Sequence, residues 1–279
     1  MVDPRRSAAR LCKPWPGVPR EPGPRDERGR PLNLFADALA WLFSPERLTG
    51  SNTLPQLIAE HLFYTFVSVA IAAVIAVPVG YFIGHTGRGR EIAVRIAGGA
   101  RALPSFGLIL LLVLVIGVTR KPEAAFIAFV LLAIPSILAG AYSGIEALDD
   151  RVIDAARALG MTEWQILLRV EAPLGLPLLI GGLRAATLQV VATVTLAAYI
   201  DLGGLGLPII KGLALRQFDQ MLGAAIVIVI LALVLDGLFA LIQHFVVPRG
   251  VTAGRPQEPH IASSRRPVVM GTPIEDGNG

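Results

Sequence analysis

The sequence predicts an all-α polytopic membrane protein with about five transmembrane helices. Three observations carry that expectation. Hydrophobic residues make up 53% of the 279, the mean hydropathy is +0.62, and only 16% of residues are charged, well under the share in soluble domains. Apolar runs recur from about Leu57 to Val247 at lengths that suit a bilayer crossing. The 25 basic residues gather in tails and loops, where bilayer topology puts them.

The chain opens with a segment, residues 1–33, rich in Pro, Arg and Gly. It lacks the apolar core of a secretory signal and reads as disordered. Residues 1–50 hold nine Lys/Arg against six Asp/Glu. Within them, Leu34, Phe35, Ala38, Leu39 and Leu42 fall at helical spacing. That stretch is too short to cross and is expected to lie in the membrane interface. Residues 51–248 form the transmembrane domain, and 249–279 read as a second disordered tail.

Span one is expected over Leu57–Gly84, with Glu60 and His61 as interfacial residues at its opening. The unbroken apolar part of span two, Leu103–Val118, is short against the roughly 20 residues a crossing needs. An earlier start near Ile92 with a kink at Pro104 would supply the length. Span three covers Ala124–Ile145, span four Leu174–Ile200 and span five Met221–Val247. A Gly-rich stretch, Asp201–Gln220, separates the last two, and its glycines near Gly203 read as a tight turn at a membrane surface.

Basic residues choose the orientation. Arg88, Arg90, Arg95, Arg101, Arg151, Arg157, Arg169, Arg249 and Arg255 fall on one side, and Arg47, Arg120, Lys121, Lys211 and Arg216 on the other. Nine against five places the N-terminus outside and the 149–173 segment, with the C-terminus, in the cytoplasm.

That segment is polar, though it lies between two apolar runs. Asp149 and Asp150 can cap a first helix. Val152, Ala156 and Leu159 share one face of it. Gly160 suits the left-handed position that ends it. Thr162 and Gln165 have capping-box spacing and start a second helix, with Trp164, Leu167 and Leu168 as its apolar side. Pro173 marks the end of that helix or the start of the next span. From helix signals alone, two readings are open. One is an amphipathic connector on the headgroups; the other is a compact elbow that a partner can push.

The residue order resembles the cytoplasmic EAA loop of ABC importer permeases. Asp154-Ala155-Ala156 is followed by three residues, then Gly160, then nine residues and Val170-Glu171-Ala172-Pro173. The family pattern has Glu, Ile and Leu where this chain has Asp154, Val170 and Ala172. Ala102-Leu103-Pro104-Ser105, Tyr142-Ser143-Gly144-Ile145, Gly160–Gln165, Leu202–Gly206 and Lys211–Leu215 are similar to permeases for glycine betaine, carnitine and choline. Methionine- and taurine-type permeases share the fold and parts of the motif.

This resemblance implies a type I importer permease fold, MetI-like, and a loop that seats in a cleft of an ATPase subunit. Ala155, Ala156 and Gly160 would then allow close backbone approach, Asp154 would make polar contacts, and Trp164 and Pro173 would frame the loop. It also implies the partners: two ATPases, a second permease subunit (identical or homologous), an extracytoplasmic solute-binding protein and membrane lipid.

Other functions fit the residues less well. There is no phosphate-binding G-x-x-x-x-G-K-[ST] loop, so ATP is expected to be bound by a partner chain, with no cofactor and no catalytic residue here. A single cysteine, Cys12, and four scattered histidines argue against a disulfide framework and a metal site. The net charge of +4 does not argue for nucleic acid. A stand-alone secondary transporter would show inverted repeats, and a membrane-embedded enzyme a cluster of acid, His or Ser groups.

Inside the spans, Arg184 and Asp236 fall at matching depths, about 15–17 Å from the cytoplasmic end. An unpaired charge there is costly, so they are expected to pair or share a polar network; the alternative is that Arg184 snorkels and Asp236 faces a wet pathway. Gln189, Thr193 and Thr195 are candidates for lining the pathway, with helix packing through the same groups as the alternative.

Overall fold

The computed structural model describes residues 33–49 and 51–246, and all regular structure among them is helical. The expected disordered tails at 1–33 and 249–279 lie outside the described residues, Asn33 excepted. Nine helices follow in order: α1 (Leu34–Leu42), α2 (Leu54–Thr86), α3 (Arg90–Ala102), α4 (Ser105–Ile116), α5 (Lys121–Glu146), α6 (Asp150–Ala158), α7 (Glu163–Ile200), α8 (Gly206–Leu215) and α9 (Phe218–Val246). Single 3₁₀ turns stand at Pro45–Arg47 and Val118–Arg120.

Four of these helices, α2, α5, α7 and α9, are long and apolar enough to cross a membrane. The expected second span is different. It is split into α3 and α4, with Pro104 as the N-cap of α4. Proline lacks an N–H and excludes the helical conformation from the residue before it, so the break falls at Leu103. At 12 residues α4 is about 18 Å long, short of a full crossing. It packs beside α5, and α3 turns Ala93 and Ala97 inward while Ile92 and Val94 stay exposed.

Helix α5 is the centre of the bundle, packed along both α2 and α7. Its sequence explains the position. Ala124, Ala125, Ala128, Ala133 and Ala141 are small and buried, with Phe129 and Ile137 filling the remaining space. In lipid there is little hydrophobic drive between helices, so close van der Waals approach has to hold them. The closest approach is between glycines. Gly140 lies against Gly182, and Gly144 against Gly175; a methyl added at 144 would sit 2.5 Å from the Gly175 carbonyl.

The outermost span is α9. Val229, Leu233, Val234, Leu241 and Phe245 are exposed along it. Its first turns carry α1: Trp41 packs so tightly on Gly223 that a side chain there would overlap the indole. In the Leu34–Phe43 segment, Ala38 and Trp41 are buried against the last span.

Near the start of α2, His61 is fully buried within the bundle. Its Nε2 lies 3.1 Å from the Val191 carbonyl, and the Leu205 amide donates to Nδ1. Those roles require the neutral tautomer with its proton on Nε2. Next to it, Glu60 accepts from the Gly204 amide. Gly203 and Gly204 hold φ of +87° and +68°, and a Cβ on Gly203 would meet the Glu60 carboxylate at 2.6 Å. Within the Gly-rich stretch, the turn at Gly203–Leu205 is held by two side chains of α2, and most of the remainder is helix α8.

Candidate coupling elbow

The polar insert forms as its residues dictate. Asp149 accepts from the Arg151 amide and caps α6. Gly160, at φ +80°, closes it: the Met161 amide bonds back to the Ala156 carbonyl and the Gly160 amide to that of Arg157. This is the Schellman arrangement, which needs the left-handed residue. Thr162 and Gln165 then cap each other's backbone N–H and open α7.

One expectation fails here. The insert does not hold two short helices. Its second helix runs on into the fourth span as a single 38-residue helix, Glu163–Ile200. The two are joined by a π-helical turn, Leu167–Glu171, which ends two residues before Pro173. Pro173 has no N–H to return to the Arg169 carbonyl, and a wider turn absorbs that loss without ending the helix. Pro173 itself is exposed at the start of the following α-helical part. The elbow is thereby continuous with a helix about 57 Å long.

The elbow is locked by charge. Arg157 bonds both carboxylate oxygens of Glu163, at 3.0 and 3.2 Å, and reaches Asp154 at 3.4 Å. The bond to Glu163, and then its charge, push the Arg157 guanidinium above its ordinary range. Asp154 therefore has an internal partner on its own helix, and Glu163 is the partner across the turn. Ala156 faces inward and is buried, so it shares no exposed face with Val152 and Leu159. Ala155 and Gly160 remain open, and a Cβ built on Gly160 would meet nothing within 4 Å. Leu159, Trp164 and Leu168 are 84%, 73% and 62% exposed, an apolar patch on a polar elbow.

Two residues that sequence patterning missed tie this elbow to the first span. His85, in the last turn of α2, places Nδ1 2.7 Å from the Glu171 carboxylate and Nε2 3.4 Å from Glu163. Glu171 sits in the π turn and is only 3% exposed. It occupies the variable position of the EAA pattern, and His85 lies 86 residues away in sequence. A lone His at the end of an apolar run is the only signal the sequence offers. Between α2 and α7 at this level lies a groove of about 470 Å³, lined by Val77, Phe82, Leu167 and Leu168 and closed at its polar end by His85 and Glu163.

Within the bundle, Arg184 and Asp236 meet as a bidentate pair, each oxygen 2.5 Å from a guanidinium nitrogen. Gln189 accepts from Ser136 of α5 at 3.5 Å. Thr193 is buried, and its hydroxyl bonds back to the Gln189 carbonyl; Thr195 does the same to Val191. Both hydroxyls are thus satisfied within their own helix.

Residues 76–250 match the family of binding-protein-dependent transport system inner membrane components. Among curated relatives, the glycine betaine/carnitine/choline transport system permease protein OpuCB of Bacillus subtilis is 29% identical over 73% of this chain and 93% of its own length. The carnitine transport permease protein OpuCB of Listeria monocytogenes is 31% identical over 78% and 98%. The osmoprotectant import permease protein OsmW of Salmonella typhimurium is 32% identical over 73% and 96%. Among solved structures, a chain of the MetNI methionine ABC transporter in an inward-facing conformation superposes with a TM-score of 0.63 at 23% identity, covering 72% of this chain and all of that one. With the four long apolar helices and the insert between two of them, these likenesses place the chain in the family of inner-membrane permease components of binding-protein-dependent transport systems.

Proposed function

We propose that this chain is the membrane-spanning subunit of an ATP-driven importer for compatible solutes such as glycine betaine, carnitine, choline and proline betaine. The observation that carries the reading is the elbow: a rigid, charge-locked turn with an outward apolar patch, continuous with a helix of the bundle. Two ATPase subunits seat on the elbows of two permease subunits, identical or homologous. ATP is bound by those partners. An extracytoplasmic binding protein delivers the solute on the side where Gly203 and Gly204 lie, and the elbow and C-terminus face the cytoplasm.

In this reading ATP binding draws the ATPases together and displaces α6 with the start of α7. The π turn passes that displacement along α7. His85 and Glu171 hand part of it to α2, and Arg184 and Asp236 carry it to α9. Solute preference rests on the curated relatives, all three of which are named for such solutes or for osmoprotectants generally.

The test is reconstitution of the chain with its ATPase and binding protein in proteoliposomes. Glycine betaine or choline should stimulate ATP hydrolysis and accumulate inside, and methionine should do neither. Stimulation by methionine alone would overturn the solute assignment. Failure of any ATPase to co-purify with the chain would overturn the coupling role.

A further inference from the structure

At the end of the bundle opposite the elbow, α1, the turn after it, and the first turns of α2, α8 and α9 enclose a second pocket of about 180 Å³. Its polar lining holds two cations, Arg47 and Lys211, with the Trp41 indole, Ser51, Asn52 and Gln220. Arg47 stacks over the Trp41 ring, 4.6 Å from its centroid. Asn52 and Leu54 contribute the entry to α2. None of the ten lining residues is acidic. Gln220 has used its amide N–H on the Pro208 carbonyl, which fastens α9 to α8.

Two further facts point to an occupant. The Trp41 indole N–H and the Arg47 Nε–H are both buried, and neither has an acceptor among the described residues. Trp41 as a whole is 8% exposed. Buried donors are rarely left without a partner, and two beside each other are harder still to account for. The first turn of α2 also points its free N–H and positive dipole end at this corner: Thr53 satisfies the Gln56 amide and Pro55 has none, which leaves the amide of Leu54. Asn52 adopts a left-handed φ of +59° as the chain turns into that helix. The void far exceeds the roughly 10–15 Å³ that one water occupies.

We propose that this pocket binds a phosphate oxyanion, supplied either by a lipid headgroup or as free phosphate. Arg47 and Lys211, both lining the pocket, neutralise its charge, and the indole and Nε protons donate to its oxygens. The planar guanidinium suits a bidentate grip and the ammonium a point contact. The pocket lies at the level of the span ends, where phosphodiesters of the bilayer are found. An anion here would join α1, α2, α8 and α9, which contribute one wall each.

Replacing Trp15 and Trp164 with Phe leaves Trp41 as the single indole of the full chain, which has three. That protein, in dodecyl maltoside micelles, is titrated with inorganic phosphate and separately with phosphatidylglycerol, with diacylglycerol and sodium chloride as phosphate-free controls. A saturable change in Trp41 emission is expected, with a midpoint at least about tenfold higher in Lys211→Gln and Arg47→Gln. Lys211 is exposed, so its variant folds even where Arg47→Gln does not. Saturation by phosphatidylglycerol alone identifies the headgroup as occupant, and saturation by inorganic phosphate identifies the free ion. No emission change with either probe, or an unmoved midpoint in Lys211→Gln, overturns the proposal.

Discussion

His85 and Glu171 meet at 2.7 Å although one ends the first span and the other lies in the turn that opens the fourth. The carboxylate is buried, and the imidazole is its one side-chain partner among the described residues. Replacing His85 with Ala should leave a buried carboxylate unpaired and cost on the order of 3 kcal/mol. His85→Gln should recover part of that, because an amide can still donate. Thermal unfolding in detergent measures both. ATPase attachment should persist in His85→Gln while solute uptake falls, since the elbow is intact and only its link to α2 is weakened. Equal stability of wild type and His85→Ala would show that the pair carries no load.

The elbow should be separable from the fold. Gly160→Leu forces a branched side chain into the left-handed region, at a cost of about 1–2 kcal/mol, but into open space. The protein should remain folded and lose ATPase co-purification. Trp164→Asp and Leu159→Asp alter exposed groups only and should leave the melting temperature within a degree or two while abolishing attachment. Retained attachment in all three would remove the elbow from the coupling route.

Arg184 and Asp236 provide a charge-swap test. Arg184→Asp or Asp236→Arg alone places two like charges within the bundle, and folded yield should drop several-fold. The double swap restores opposite charges on α7 and α9 and should recover most of that yield, read by size-exclusion profile. A double variant as defective as the singles would mean that the partners serve separate roles.

The glycine seam between α5 and α7 should tolerate nothing larger. Gly144→Ala puts a methyl 2.5 Å from the carbonyl oxygen of Gly175, and backbone cannot move aside as a flexible side chain would. A loss of about 1–3 kcal/mol is expected from overpacking of this kind. Gly181→Ala, on α7 with open space around it, is the control and should be neutral. Indistinguishable unfolding midpoints for the two variants would contradict the seam.

Local chemistry makes much of the elbow legible in the order of its residues. Asp149, Gly160, Thr162 and Gln165 act within five residues of their partners, so spacing alone specifies the caps and the left-handed turn. Arg184 and Asp236 can be matched by depth, because a helix has a fixed rise and a bilayer a fixed thickness. The break at Pro104 is legible only as a kink, since the sequence shows that a helix must falter there but not how far the two pieces diverge.

By itself, then, the sequence determined the helical class, four long spans, the caps of the insert and the matching depth of Arg184 and Asp236, all set by periodicity, backbone chemistry and the cost of charge in lipid. Tertiary structure alone decided that His61 is buried under Leu205, that Ala156 turns inward, that Glu171 is held by His85 and that Trp41 lies against Gly223. Each of those depends on which helix lies beside which. Helix packing in a membrane is settled by shape at glycines and small residues spread along the whole chain, and no local pattern records it.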